Sequence, residues 1–276
     1  MKTDQVHVGD ITMRWEEDGD GFPAIFLHGI PTSPRLWRHV LPLVQGGRCL
    51  AWEMVGYGDS IPEGRGRPIG VRQQADYLLR WMRHIGLERA VLVGHDLGGG
   101  VAQIVATLRP PICAGLVLTN SIGYDAWPIP EVRSLRAMGG ILRKAPNGMV
   151  KPLFALILAR GHDDKKRAVE SHLQHWTSYG REPAAEEFVR QARSLNNRDT
   201  MEIADRLQST RIPSRVVWGA ADPFLPVRYG ERLATDLGTH LQRIEGGKHF
   251  TPEDHPDIVA GAVNDVLREV TGERAA

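Results

Sequence analysis

The sequence predicts an α/β fold: a mostly parallel sheet with helices on both faces, interrupted by an all-helical insertion. Three observations predict it. Short apolar runs bounded by turns alternate with stretches of helical periodicity over most of the 276 residues, the pattern of repeated β-α units. One such run, Arg89 to Ala106 ("RAVLVGHDLGGGVAQIVA"), passes from strand through a tight glycine turn into helix. Between Ser121 and Arg211 the alternation stops, and only helical patterns remain around breaks at Pro128, Pro130, Gly139-Gly140, Pro146-Asn147-Gly148 and Pro183.

The elements follow in order. Val6 to Val8 and Ile11 to Trp15 alternate apolar and polar around Gly9-Asp10, a hairpin. Ala24 to Leu27 is a buried strand ending at His28-Gly29-Ile30-Pro31. Ser33 to Val44 has Leu36, Val40, Leu43 and Val44 at helical spacing and predicts a helix. Cys49 to Met54 is a strand, followed by Gly56-Tyr57-Gly58-Asp59-Ser60, and Val71 to Ile85 is a helix stopped by Gly86. After the glycine turn and its helix comes strand Leu116 to Thr119, then the insertion. Alternation resumes with strand Arg215 to Trp218, a helix near Val227 to Leu237, strand Leu241 to Ile244 and a last helix, Pro256 to Val270. An insertion placed there would lie across the C-terminal strand edge, where open α/β sheets bind ligands.

Composition excludes several classes. The formal net charge is +1, with no basic excess to suggest nucleic acid. Two cysteines, Cys49 and Cys113, sit in separate apolar contexts and read as buried thiols of a reducing compartment. The N-terminus lacks a signal-peptide core, and no run approaches the ~18 apolar residues of a membrane span. We expect a soluble cytoplasmic protein, a monomer or homodimer, with no membrane or nucleic-acid partner. No His/Cys/carboxylate cluster has metal-ligand spacing, and no glycine fingerprint for a dinucleotide follows the first strand. We therefore expect neither metal nor cofactor.

The chemistry centres on Gly94-His95-Asp96-Leu97-Gly98. Strand, glycine turn and helix are the setting of a nucleophile elbow, and the residue at its apex is Asp96. An Asp at a helix start can also be a mere cap. Two other features weigh against that: Asp222 just past a strand end in "WGAADPFLP", and His249 in the loop "EGGKHFTPEDHP" after the last strand. Nucleophile, acid and His appear in the chain order of one strand-end triad.

On these residues the sequence resembles the α/β-hydrolase family over nearly its whole length. The resemblance implies an α/β-hydrolase fold, with a core of residues 1–123 and 212–276 and a helical cap of residues 124–211. The elbow Asp resembles the haloalkane dehalogenase and epoxide hydrolase branch, as does "HGIPTSPRLWRHVLPLV" from His28 to Val44. It implies a cis Ile30-Pro31 bond and an oxyanion hole made by the backbone N–H groups of Leu97 and Ile30.

An Asp apex changes the chemistry. A carboxylate of reference pKa ~3.9 is charged at neutral pH and needs no base to activate it. It suits displacement at saturated carbon, giving an ester of Asp96 that water must hydrolyse. His249 is the natural base for that water, with Asp222 orienting it.

The leaving group is less plainly written. Haloalkane dehalogenases place a Trp after the nucleophile and often an Asn in the His-Gly-x-Pro motif to hold halide; here stand Leu97 and Ile30. Fluoroacetate dehalogenases place Arg one and four residues after the nucleophile; here stand Leu97 and Gly100. Epoxide hydrolases use two cap tyrosines, and the insertion offers Tyr124 and Tyr179. His175, Trp176 and Tyr179 form an alternative halide pocket, with His28 and Trp127 as further pocket candidates. Trp176 and Leu173 read equally as the buried face of a cap helix. The expected substrate is a small apolar molecule, with water the second reactant. Epoxide opening ranks first and carbon–halogen hydrolysis second, ahead of a lyase, an oxygenase or a binding protein on the same fold.

Overall fold

Strands that read as unbroken apolar runs become the centre of the sheet, and those that alternate become its edges. The computed structural model describes residues 2–272. Its strands are β1 (Lys2–Val8), β2 (Ile11–Asp18), β3 (Phe22–Leu27), β4 (Gly47–Trp52), β5 (Ala90–Asp96), β6 (Cys113–Ser121), β7 (Ser214–Gly219) and β8 (Leu241–Ile244). They form one sheet in the order β1-β2-β4-β3-β5-β6-β7-β8. β2 alone is reversed, antiparallel to both its neighbours β1 and β4, and every pairing from β4 to β8 is parallel. All residues of β5 and β6 are buried, whereas β8 leaves Gln242 and Arg243 exposed at its edge.

The helices are α1 (Val71–His84), α2 (Leu97–Leu108), α3 (Pro130–Leu142), α4 (Asn147–Gly161), α5 (Lys165–Tyr179), α6 (Ala184–Ser194), α7 (Arg198–Met201), α8 (Ala204–Leu207), α9 (Val227–Asp236), α10 (Thr251–Asp254) and α11 (Pro256–Thr271). One apolar core includes residues of α1, α2 and α9. A second lies on the other sheet face against α11 and takes in Phe154, Leu158 and Tyr179 of the insertion. Both cysteines are buried and free. Among the described residues, no helix is long and apolar enough to cross a membrane.

The helix expected over Ser33 to Val44 does not form. The segment makes two short 3₁₀ turns, Pro34–Trp37 and Leu41–Leu43. Their bonds run from i to i−3, as from Leu36 N to Ser33 O and from Leu43 N to Val40 O. Pro34 and Pro42 supply no N–H, and a proline ring inside an α-helix clashes with the preceding turn. The apolar spacing still buries Leu36, Trp37 and Val40.

Two readings of the insertion also change. Leu173 points outward, 61% exposed, rather than forming a buried cap face. In sequence, His162-Asp163-Asp164 reads as a solvated turn and helix cap; His162 is instead 2% exposed, although Asp164 does cap α5 through the Lys166 and Arg167 N–H groups.

Candidate active site

The elbow exists because four glycines let backbones meet. Asp96 sits at φ 49°, ψ −119°, off the helix it precedes and without a capping bond. A Cβ on Gly94 would lie 2.5 Å from Gly99 Cα, and one on Gly98 would lie 2.1 Å from the Leu27 carbonyl oxygen. A Cβ on Gly29 would stand 2.4 Å from Asp96 Oδ2. The glycines thus bring the end of β3 against the apex of the elbow. Gly98→Ala is expected to cost about 1–3 kcal/mol or more, because a carbonyl cannot rotate away as a side chain can. Thermal unfolding and specific activity would both fall; wild-type values for both would show that α2 can shift without consequence.

Asp96 is 6% exposed. Its Oδ2 accepts the Ile30 N–H at 2.9 Å, and the Leu97 N–H also bonds the carboxylate. Both donors expected for an oxyanion hole therefore act on this carboxylate, Ile30 through a bond to Oδ2. Burial, the largest influence, raises the Asp96 pKa, while the nearby His249 and the two N–H groups pull it back. The Ile30-Pro31 bond is cis. His28 shapes this loop rather than any pocket: Met54 N–H donates to its Nε2 at 3.1 Å, so its proton is on Nδ1, facing the Gly29 carbonyl at 3.0 Å. Burial lowers its pKa to about 3, which keeps it neutral.

His249 Nδ1 lies 2.8 Å from Asp222 Oδ2. Burial, the largest influence, works against the charged ring, but the Asp222 charge and hydrogen bond, with the Asp96 charge, leave its pKa raised. Asp222 is equally buried, yet its pKa is lowered by His249 and by donors on both oxygens. Phe224 N–H and Leu225 N–H donate to Oδ1 at 2.8 and 3.0 Å, and Asn120 Nδ2 donates to Oδ2 at 2.6 Å.

Two residues that the sequence reading missed complete this shell. Asn120, at φ 37° near the end of β6, holds Asp222 and also accepts from Gly219 N–H and Thr251 Oγ1. Its signal was its place one strand beyond the elbow, next to Ser121. His95 donates from Nε2 to the His249 carbonyl at 3.0 Å, with the two rings 4.7 Å apart. Burial lowers the His95 pKa to about 3, so it braces His249 as a neutral ring.

The insertion grips the same loop. The Gly161 carbonyl, at the end of α4, accepts from both His249 N–H and Phe250 N–H, at 2.9 and 3.2 Å. Lys248 Nζ donates to the His162 carbonyl at 2.8 Å. The orphan carbonyls of a helix end are thus satisfied by the loop that carries His249.

The remaining pocket candidates are occupied elsewhere. Tyr124 donates to Asp236 Oδ2 at 2.5 Å, under the Arg232 guanidinium. Tyr179 donates to Gln191 Oε1 at 2.9 Å and stacks on Phe188. Trp127 donates to Thr200 Oγ1 at 2.8 Å. His175 lies between Ser33 Oγ, at 3.2 Å, and the Glu253 carboxylate, at 3.5 Å. Trp176 is half-buried against Phe154 and His172. The structure brings Asp96, Ile30, Leu97, Asp222 and His249 together, and engages Tyr124, Tyr179, Trp127, His175 and Trp176 in packing and other bonds. Among the described residues, no group of three or more His, Cys, Asp or Glu could hold a metal ion.

The alpha/beta hydrolase fold family matches residues 23–256. The chain belongs to the α/β-hydrolase family. It is a hydrolase. Haloalkane dehalogenase 2 of Mycobacterium tuberculosis is 26% identical over 264 residues, spanning 91% of this chain and 90% of that protein. Among solved structures, an alpha/beta hydrolase fold protein from Burkholderia ambifaria superposes with TM-score 0.82 at 20% identity, over 96% of this chain and 100% of that one. Haloalkane dehalogenase DbeA from Bradyrhizobium elkani does so with TM-score 0.78 at 22% identity, over 99% of each. At such identity the two structures speak for the shared fold alone.

Proposed function

We propose that this α/β-hydrolase cleaves a bond between saturated carbon and a leaving group by way of an Asp96 ester. The observation that carries the proposal is the held carboxylate: Ile30 N–H bonds Asp96 Oδ2, and the Leu97 N–H helps to stabilise the same charge. Oδ2 keeps the Ile30 bond while Oδ1 attacks carbon. The C–O bond forms as the bond to the leaving group breaks, and the leaving group takes the electron pair. Water then adds to Asp96 Cγ, with His249 removing its proton. Charge gathers on Oδ2, which the Ile30 N–H already bonds and which the Leu97 N–H would help to stabilise. Collapse breaks the Cγ–Oδ1 bond; the departing oxygen takes the proton held by His249 and leaves as the alcohol, and Asp96, now carrying the oxygen of water, loses the remaining proton to solvent and is a carboxylate again.

The charges time the two steps. With Asp96 ionised, its field favours a protonated His249. Esterification removes that charge, so the imidazole loses its proton more readily when a base is required. Asp222 stays ionised throughout, shielded by three protein donors besides the His249 bond.

Halide is the leaving group this arrangement serves best, which reverses the ranking drawn from sequence. Halide departs as a stable anion without a proton, whereas an epoxide oxygen needs an acid. Tyr124 and Tyr179 already donate to Asp236 and Gln191. The dehalogenase names of full-length relatives support the same choice. Epoxide opening keeps one supporting observation. The Tyr57 hydroxyl is buried without a hydrogen bond of ordinary geometry, beside Ser194, and the charge of Asp96 reaches it.

A panel of short 1-bromoalkanes and apolar terminal epoxides, assayed in ¹⁸O-water, separates these readings. Bromide release with ¹⁸O entering the Asp96 peptide in a single turnover is the expected result. Diol formation lost on Tyr57→Phe would favour the epoxide reading. Turnover that never labels Asp96 would remove the ester mechanism altogether.

A further inference from the structure

α4 is apolar on both of its sides. Phe154 and Leu158 point into the second core, while Met149, Leu153, Leu156 and Ile157 recur at i, i+4, i+7 and i+8 on the outside. Such spacing defines one stripe of a helix. α5 packs beside α4 and continues the stripe with Val169 and Leu173, one turn apart. Apart from Ile157, these side chains are 57–69% exposed. Between the two helices runs a groove of about 270 Å³ lined by Ala155, Ala159, Ala168, Val169, His172 and Lys165. Soluble proteins rarely leave a contiguous apolar area of this kind uncovered.

The rim has one dominant charge. Between Arg133 and Lys166 stand seven exposed Lys and Arg side chains, one of them Arg160 paired with Glu131, and two acids, Asp163 and Asp164. Lys165 lines the groove, Lys151 lies near enough to His172 of the groove for its charge to act there, Lys166 follows in the first turn of α5, and Arg143 and Lys144 lead into α4. Both acids are engaged, Asp164 as the α5 cap and Asp163 with His255. α4 contains no acidic residue.

We propose that the outer α4–α5 face docks on an anionic lipid surface. The apolar stripe would enter the headgroup–acyl boundary while the basic rim meets lipid phosphates, the arrangement of interfacial helices. A second copy fits less well, since a two-fold contact would set each basic rim against itself. The expectation of no membrane partner came from the lack of a spanning segment, which leaves peripheral binding untouched. The Gly161 carbonyl fixes the end of α4 to His249 and Phe250, so the docking face is braced against the candidate site. The inference does not depend on the leaving group.

Sedimentation of the full chain with vesicles tests it. Vesicles of phosphatidylcholine with a third phosphatidylglycerol should carry the protein down, while pure phosphatidylcholine should retain much less. Raised salt should weaken binding, as should Lys151→Glu/Lys165→Glu. Leu156→Glu/Leu173→Glu should weaken it by about tenfold or more, through the lost apolar burial. These side chains face solvent, so thermal unfolding of both variants should match wild type. Failure to sediment with anionic vesicles overturns the proposal. So does binding indifferent to Leu156→Glu/Leu173→Glu, or a dimer in solution that the same variant abolishes.

Discussion

His249→Gln is expected to stop turnover after the first chemical step and leave an alkyl ester on Asp96. The displacement needs only the Asp96 carboxylate, which the Ile30 and Leu97 N–H groups continue to hold. The hydrolytic step needs a base, and losing one typically costs about 10²–10⁴-fold. With a bromoalkane, intact mass should show one added alkyl group per chain together with one equivalent of bromide. The adduct should map to the peptide containing Asp96. Bromide released catalytically at the wild-type rate, with no adduct, would mean that His249 is not the base.

The pH dependence of wild type belongs to the same argument. In the resting protein Asp222 and Asp96 raise the His249 pKa against the effect of burial. Esterified Asp96 carries no charge, so its contribution disappears in the intermediate. The acid limb for ester hydrolysis should therefore lie below the His249 titration of the resting protein. NMR titration of the ring against pre-steady-state hydrolysis compares the two. Asp222→Asn should damage both, since an amide at this site meets N–H donors from Phe224, Leu225 and Asn120.

Local pattern carried the catalytic geometry in the sequence because each member sits at the end of its own strand. Gly94, Gly98 and Gly29 were visible as glycines, and their role was visible as a turn. What stayed hidden has no local pattern. Asn120 is an ordinary residue until its φ of 37° turns it toward Asp222. Tyr124 and Tyr179 looked available because nothing near them in sequence announces Asp236 or Gln191 as partners. The expected helix after Ser33 failed for a reason that was legible: two prolines in one amphipathic segment. The outward stripe of α4 was not, since an apolar run such as Pro152 to Ala159 does not say which side is covered.

The least legible feature is a buried charge cluster assembled from distant segments. Glu253, four residues after His249, is fully buried and meets Arg38, His162 at 2.9 Å and His175 at 3.5 Å. Arg38 reaches on to Glu170 of α5 at 2.9 Å. The cluster joins the chain beyond the Ile30 loop, the insertion and α10. Burial alone would raise the Glu253 pKa, but His162, His175 and Arg38 hold it well below its ordinary value. Glu253→Gln removes the one charge that all three partners share. Breaking a buried pair leaves an uncompensated charge and costs about 3–5 kcal/mol. The penalty should depend on pH with a definite sign. The lowered Glu253 pKa gives stability that is present above 4.5 and lost as pH falls through the folded value. The His162 pKa is raised, because its bond to Glu253 overcomes burial, so its contribution is complete below 6.5 and lost as pH rises through the folded value. His175 works the other way: burial lowers its pKa, and protonating it on acidification costs stability. The difference between wild type and Glu253→Gln should therefore be greatest between pH 4.5 and 6.5. Denaturant unfolding across that range measures it. A difference flat with pH, or below about 1 kcal/mol, would mean that Arg38 and the two histidines find other partners and that the cluster does not anchor the insertion.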